Sequence, residues 1–430
     1  MIDQSTIDKV IDTAKIEEVV GEEVDLRRRG VNLLGLCPFH NEKTPSFTVS
    51  PAKGIFKCFG CGEGGDSVGF IMKFHRIGFL EAIKKLASKY NIEVEEVEET
   101  PEAIQRRKEK EAIQIVLNWS QGYYHQQVEK MKNSENHPKF VPFLNQWFVS
   151  SEAIEKYRIG LSTSSGDELL KEATNKGYKK EALVSTGLIL KNRDQHKDFF
   201  GKELIFPVQT ISGRVAGFCG IKLSDMSSSV NVRMLGATPS FDVEKEILGI
   251  YQAKGEILKR KGCHIMTHPL EMVYLTQNEI PQTVTILPHT LAEKQIKQIT
   301  RFSTNIYLWC SENLGSILET YNRISKLIHS GITVKVIHIN KENLVKYLKD
   351  QRTSTIEAHA NDAKDWLHFL VETFYAKKEQ LGLGNPDVFI KILQIINVIP
   401  DAIVKGVYVT ELSRLINMPE ELIWEDLRNL

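Results

Sequence analysis

The sequence predicts an α+β protein of several domains: a small metal-bound module of short strands, a mixed core with an α/β part, and a helical C-terminal segment. Three observations predict it. Two cysteine/histidine knuckles stand close together within residues 37–61, apolar strands alternate with helical runs over 262–340, and beyond about residue 360 the apolar spacing is helical to the end. A length of 430 residues accommodates about two to four domains, and average hydrophobic and charged contents exclude disordered, collagen-like and low-complexity classes. No window approaches the ~18 uncharged apolar residues that a membrane span needs. Met1-Ile2-Asp3-Gln4 is acidic rather than a charged-then-apolar leader, so a cytoplasmic protein without membrane contact is expected.

Residues 5–20 carry Ile7, Val10, Ile11, Ala14, Ile16, Val19 and Val20 at helical spacing and predict one amphipathic helix. Residues 27–61 are rich in Gly, Pro and Phe, with short apolar runs at 31–34 and 46–49 that read as small strands between tight turns. Asp66 caps a helix to about Phe74, and Gly78-Phe79 opens another ending near Tyr90. The acidic stretch with Glu93, Glu95, Glu96, Glu98 and Glu99 marks a domain boundary, after which a polar helix runs to about 132. Short helices follow at 143–148, 151–157, 167–174 and 180–185, then strands at 204–209 and 214–221 around the turn Ile211-Ser212-Gly213. Strands at 264–266, 283–287, 306–309 and 333–337 alternate with helices at 270–277, 291–300 and 315–329, the rhythm of a parallel sheet.

Cys37-Pro38-Phe39-His40 and Cys58-Phe59-Gly60-Cys61 are two C-x2-[CH] knuckles separated by 17 residues. Three thiolates and one imidazole close a tetrahedron around zinc and leave no position for water, so Cys37, His40, Cys58 and Cys61 predict a structural site rather than a hydrolytic one. Gly60, Gly62, Gly64 and Gly65 allow the turns such a knuckle needs. Cys219, Cys263 and Cys310 stand in apolar strand contexts and read as core residues.

Equal numbers of basic and acidic residues, 55 each, give zero net charge. That average conceals a basic ribbon: residues 27–61 hold Arg27, Arg28, Arg29, Lys43, Lys53 and Lys57 against Glu42 alone, a local net of +5. Phe39, Phe47, Phe56 and Phe59 are interleaved with these cations, a pattern that tracks phosphates and stacks single-stranded bases. Arg27, Arg28, Arg29, Lys43, Phe47, Lys53, Phe56 and Lys57 are the expected DNA-binding residues.

The run from Gly30 through Cys37-Pro38-Phe39-His40-Asn41-Glu42-Lys43-Thr44-Pro45-Ser46-Phe47, with Lys57-Cys58-Phe59-Gly60-Cys61-Gly62-Glu63-Gly64-Gly65-Asp66, resembles the zinc-binding domain of bacterial DnaG-type DNA primases. That resemblance implies a zinc ribbon that contacts a single-stranded DNA template. Tyr157-Arg158-Ile159-Gly160-Leu161, Leu204-Ile205-Phe206-Pro207-Val208 and Gly213-Arg214-Val215-Ala216-Gly217-Phe218-Cys219-Gly220 are similar to the first part of the primase core, and Leu248-Gly249-Ile250-Tyr251-Gln252-Ala253 to the segment leading into its Toprim subdomain. The implied organisation is a zinc-binding domain at 1–100, a helical linker at 101–136, the first part of a primase-like core at 137–261, a Toprim-like α/β subdomain at 262–345 and a helical subdomain at 346–430. Family members usually carry a further helicase-binding domain; none follows here, which implies either that helicase is not recruited in that way or that this chain lacks the domain.

The catalytic elements depart from the family pattern. A Toprim fold offers a Glu in E-G-x-x-D after its first strand and two acids in D-x-D after a later one, which hold Mg2+ for attack by a 3′-hydroxyl. Here the first element reads Thr267-His268-Pro269-Leu270-Glu271 and the second Cys310-Ser311-Glu312-Asn313-Leu314-Gly315. No intact catalytic set is left at Thr267, Glu271, Cys310 and Glu312, and Mg2+ or Mn2+ is poorly provided for. Asn231-Val232-Arg233-Met234 replaces the family's lysine- and asparagine-containing stretch, and Ile221 its arginine, although Arg214 and Lys222 are present. The leading expectation is a single-stranded DNA-binding paralogue with weak or no primer synthesis, working beside other replication proteins. The alternative is an active primase making short RNA primers, and a third reading relocates the acids to Glu271, Glu312 and Glu342, with His268 or His289 as imaginable substitute ligands.

Overall fold

The structure is a computed structural model that describes the chain except residues 1, 3, 31, 52–53, 95–100, 133–139, 163–165, 193–194, 224–231, 288–290, 340, 342–346 and 348–352. Lys53, His289, Glu342 and the acids from Glu95 to Glu99 therefore lie outside the described residues. The chain forms two compact units, Met1–Arg107 and Lys108–Leu430, and the helix Pro101–Lys132 begins in the first and continues into the second.

Unit 1 opens on two helices, Gln4–Thr13 and Ile16–Gly21, where the periodicity predicts one. The break has a tertiary cause. Lys15 adopts an extended conformation, and the carbonyl of Ala14 accepts a hydrogen bond of 2.6 Å from the Ser67 hydroxyl instead of continuing the helix. A five-stranded antiparallel sheet follows in sequential order: β1 (Arg27–Arg29), β2 (Asn32–Gly35), β3 (Phe47–Ser50), β4 (Ile55–Cys58) and β5 (Gly64–Gly65). Because strand side chains alternate between faces, β4 buries Phe56 and Cys58 and exposes Ile55 and Lys57. Phe47 and Phe56 stack with centroids 5.1 Å apart, and Phe70, from the helix Ser67–His75, meets Phe56 edge-on at 5.5 Å. Asp66 caps that helix by accepting from Gly69 N at 2.7 Å, as its position before the apolar run predicts.

Among the described residues unit 2 holds two larger sheets and a two-stranded hairpin. One is antiparallel, ordered β11-β10-β9-β6, from β6 (Gly160–Ser162), β9 (Glu203–Gln209), β10 (Val215–Lys222) and β11 (Val232–Met234). The hairpin β7 (Ile189–Asn192) and β8 (Gln195–Asp198) stands apart from it in pairing. The turn between β9 and β10 needs Gly213, whose φ is +88° and where a Cβ would fall 2.7 Å from the Tyr251 ring.

The other sheet follows the predicted βαβ rhythm. Its order is β13-β12-β14-β15-β16, with β12 (Cys263–Met266), β13 (Thr283–Thr285), β14 (Asn305–Ser311) and β15 (Thr333–Ile339) parallel and β16 (Lys364–Asp365) antiparallel at the edge. Buried Cys263, Ile265, Leu308, Val334 and Val336 pack with Leu367, Phe369 and Leu370 of the helix Trp366–Lys377 and with the helices Asn385–Asn397 and Ala402–Ile416. Cys219 and Cys263 are fully buried, and burial pushes both thiols upward.

The ring stack makes a prediction for unit 1. Phe56→Ala removes a side chain that is 1% exposed and costs roughly 3–5 kcal/mol. Phe59→Ala, on a ring 75% exposed, changes stability by less than about 0.5 kcal/mol. Urea denaturation of the full chain measures both.

Candidate metal centre and strand-edge site

The turns after β2 and β4 bring the four predicted ligands together. One ligand atom each from Cys37, His40, Cys58 and Cys61 lies within 4.8 Å of the other three, and this is the one His/Cys/Asp/Glu group of such proximity among the described residues. Cys37 Sγ and Cys61 Sγ are 3.8 Å apart, and Cys58 Sγ is 3.8 Å from His40 Nδ1. A tetrahedron with Zn–S bonds of about 2.3 Å has sulfur–sulfur edges of roughly 3.8 Å. The donors therefore fit zinc in number, softness and spacing, and the cluster is a structural zinc site.

The surrounding shell was less legible in the sequence. Glu42 Oε2 lies 3.3 Å from His40 Nε2, which turns Nδ1 toward the thiolates. Its Oε1 accepts from Cys37 N at 2.7 Å and Ser46 N at 3.0 Å, and Oε2 accepts from the Ser46 hydroxyl. The hydrogen bond from that hydroxyl, with smaller help from the two amides, holds the Glu42 carboxyl below its ordinary range. Gly60 is fixed by proximity, because a Cβ there would fall 2.7 Å from His40 Nε2.

Around this centre the expected DNA-binding residues divide. Arg27, Arg28, Arg29, Lys43 and Lys57 are exposed. The register aligns Arg27, Leu34, Thr48 and Lys57 in one row across β1 to β4, a span of about 14 Å at ~4.8 Å per strand. Phe47 and Phe56 are corrected: at 0% and 1% exposure they fill the core of unit 1 and present no face to a base. Phe39 is half-buried against them, while Phe59 beside Lys57 is the exposed ring of the four.

In unit 2 the departures from the acidic pattern fall where parallel strands end, the usual place for a ligand crevice in such sheets. Thr267 follows β12 and donates to Glu271 Oε2 at 3.3 Å. Loss of solvent pushes the Glu271 carboxyl up to about 7. Cys310, near the end of β14, is fully buried, with its thiol pushed up to about 11 by that burial. Glu312, the next acid, pairs with Lys377 Nζ through Oε1 and lies 3.0 Å from His338 Nε2 through Oε2. On the helix Leu314–His329, buried Arg323 pairs with Glu319 at 2.7 Å. A thiol, a hydroxyl and acids already engaged do not fit hard divalent cations, which take oxygen ligands and charge.

His268 caps the helix Pro269–Gln277, accepting from Leu270 N at 3.2 Å, and its ring stacks on Trp147. Arg214 and Lys222 are exposed, Ile221 is buried, and Arg233 pairs with buried Glu203 and lies over the Phe199 ring. Lys377, His338, Arg323 and Glu203 were missed by sequence reasoning; the partners of Lys377, His338 and Glu203 lie far along the chain, whereas Arg323 meets Glu319 at the i,i+4 spacing of one helix, a local signal that was not used.

Comparison with known proteins bears on both units. Residues 2–102 match the family described as CHC2 zinc finger, and residues 123–254 the DNA primase catalytic core, N-terminal domain. A DNA primase of Clostridium acetobutylicum is 27% identical over 431 residues, covering 99% of this chain and 70% of that protein. One of Helicobacter pylori is 30% identical over 322 residues, covering 72% of this chain and 52% of that protein. The chain thus spans about half the length of several of these relatives. The solved zinc-binding and RNA polymerase domains of the Aquifex aeolicus primase superpose with a TM-score of 0.62 at 22% identity, covering 97% of this chain and 98% of that one. A DnaG primase catalytic domain bound to single-stranded DNA has the fold of 72% of this chain, with a TM-score of 0.60 at 18% identity. No helix among the described residues is long and apolar enough to cross a membrane.

Two measurements check the chemistry of these sites. Glu42→Gln weakens zinc affinity roughly 10–100-fold, read by competition with a chromophoric chelator, and Cys58→Ser abolishes it. The Glu271 carboxyl, at about 7 in the fold against 4.5 when free, binds more protons folded than unfolded, so its contribution is present below pH 4.5 and lost as pH rises through 7. Glu271→Gln therefore raises the melting temperature at pH 8 and leaves it nearly unchanged at pH 4.5.

Proposed function

The chain belongs to the DnaG-type DNA primase family, and from that premise we propose that it binds single-stranded DNA through its zinc ribbon while making few or no primers itself. The observation that carries the second half is the state of the strand edge. Of the positions where the family pattern needs acids, Thr267 and Cys310 supply no carboxylate, Glu271 holds its proton near neutral pH, and Glu312 is taken by Lys377. Phosphoryl transfer to a 3′-hydroxyl needs the negative charge of the nucleotide to be neutralised, and this edge offers no cage for the cations that do it.

The first half rests on the ribbon. Arg27 and Lys57 stand exposed at opposite ends of one cross-strand row whose middle members Leu34 and Thr48 are half-buried, and Arg29, Lys43 and Phe59 are exposed as well. Cations that track phosphates beside a ring that can stack a base are the elements of single-strand binding. Zinc holds the turns that carry these residues, so its role is architectural. The bound single strand in a primase catalytic domain of the same fold supports a DNA partner for unit 2 as well. Division at 100, 136, 261 and 345, a cytoplasmic location and work beside other replication proteins belong to the same reading.

Two assays test it. Fluorescence anisotropy with a labelled single-stranded oligonucleotide is expected to show binding whose log–log salt slope falls by about 1.4 when Arg27 and Lys57 are both replaced by alanine; an unchanged slope would remove the ribbon from the interface. Incubation with single-stranded DNA, four ribonucleotides and Mg2+ or Mn2+ is expected to give no template-dependent oligoribonucleotides. Primers that disappear in Glu271→Ala or Glu312→Ala would instead establish an active primase.

A further inference from the structure

The strand edge of unit 2 has neutral Thr267 and Cys310 where acids were expected, and it carries cations of the protein. Lys377, the last residue of the helix Trp366–Lys377, places Nζ in an ion pair with Glu312 Oε1, and its side chain is 15% exposed. His338, in β15 and opposite Cys310 in the register, places Nε2 at 3.0 Å from Glu312 Oε2. Both carboxylate oxygens of Glu312 are thus addressed by nitrogens of the protein. Nearby in sequence, the 4%-exposed side chain of Arg323 pairs with Glu319 at 2.7 Å. Burial draws the Arg323 guanidinium down from its ordinary value, while Glu319 and then Glu271 favour its charge.

We infer that protein cations, Lys377 on Glu312 and Arg323 on Glu319 within the helix Leu314–His329, take the charge-balancing place of a divalent ion at this edge, and that the Lys377–Glu312 pair makes it a joint between the parallel sheet and the helix Trp366–Lys377. The inference rests on the reading of a silent strand edge and adds its physical consequence: restoring the missing acids is not enough to restore a metal site. A cation approaching Glu312 meets the Lys377 ammonium already in contact with the same carboxylate, and like charges at that distance repel strongly. The joint also runs between elements distant in the chain. Glu312 follows β14, His338 belongs to β15 and Lys377 ends a helix packed on the sheet, so one carboxylate ties three elements.

The pairing has the direction expected of a structural contact. Glu312 is further fixed through its backbone, whose N–H donates to Lys341 O at 2.9 Å, and Asn313 caps the next helix by accepting from Gly315 N at 2.8 Å. Backbone and carboxylate are therefore held from both sides. Removing Lys377 leaves a partly buried carboxylate without its cation, whereas removing both partners leaves neither charge uncompensated.

Manganese binding to the zinc-loaded full chain, followed by electron paramagnetic resonance of free Mn2+, tests the exclusion. The double variant T267E/C310D is expected to bind Mn2+ no better than wild type, and the triple variant T267E/C310D/K377M at least tenfold more tightly than the double. A double variant that binds as tightly as the triple would overturn the exclusion. Thermal denaturation tests the joint without depending on those substitutions. K377M is expected to melt roughly 2–4 °C lower than wild type, and K377M/E312Q to recover part of that loss; a K377M protein as stable as wild type would overturn the joint. Primer synthesis by the wild type, read as product on a gel, would overturn the underlying reading separately from either result.

Discussion

Charge taken out of water has to be balanced, and the parallel sheet of unit 2 concentrates that demand at one edge. Strands β12, β14 and β15 run in the same direction, so the segments that leave them meet there. Whatever acids those segments carry are brought together by topology, before any question of function. Among the described residues three carboxyls stand on them: Glu271 after β12, Glu312 after β14 and Glu319 seven residues further on, in the helix Leu314–His329. A cluster of this kind holds together with bound metal, with protein cations, or with protons. Here Lys377 and Arg323 supply two cations, and Glu271 keeps its proton to about pH 7.

Unit 1 solves the same problem with different chemistry. Its anions are the thiolates of Cys37, Cys58 and Cys61, soft donors that favour zinc over the hard cations a carboxylate cage would take. Around them Glu42 acts as an organising acceptor, gathering two amides, a hydroxyl and the free side of His40. Metal and carboxylate together hold the turns after β2 and β4 that flank the cross-strand row of β1 to β4. A unit of about a hundred residues buries relatively little apolar surface, and the metal centre adds to a core in which Phe47 and Phe56 stack and Phe70 meets them edge-on.

What could be read in the sequence was what lies close along the chain. The zinc ligands, the Asp66 cap and the alternation of strands and helices from 262 to 340 are local signals, and the structure has them in the expected places. The helix expected over 5–20 was divided because its interruption comes from Ser67, far away in sequence. Phe47 and Phe56 were assigned to DNA because aromatic interleaving does not reveal strand parity; only the pairing tells which face of β3 and β4 turns inward. Lys377 was invisible for a related reason. Nothing near residue 377 announces that it will meet residue 312.

On the reading proposed above, neutral Thr267 and Cys310 are consistent with the cations the protein supplies at this edge. The carboxylates of Glu312 and Glu319 pair with Lys377 and Arg323, and burial raises the Glu271 carboxyl to about 7. Adding carboxylates at 267 and 310 to this arrangement would leave anions in a partly desolvated space with no cation of the protein to meet them, a cost of several kcal/mol per unpaired ion. Cys310 and Thr267 avoid it by being neutral, the first as a buried thiol beside the Ser316 hydroxyl and the second as a donor to Glu271. On that reading the neutral residues and the cations form one adjustment. Retaining the acids without metal, or the lysine with metal, would leave charge unbalanced at the same edge.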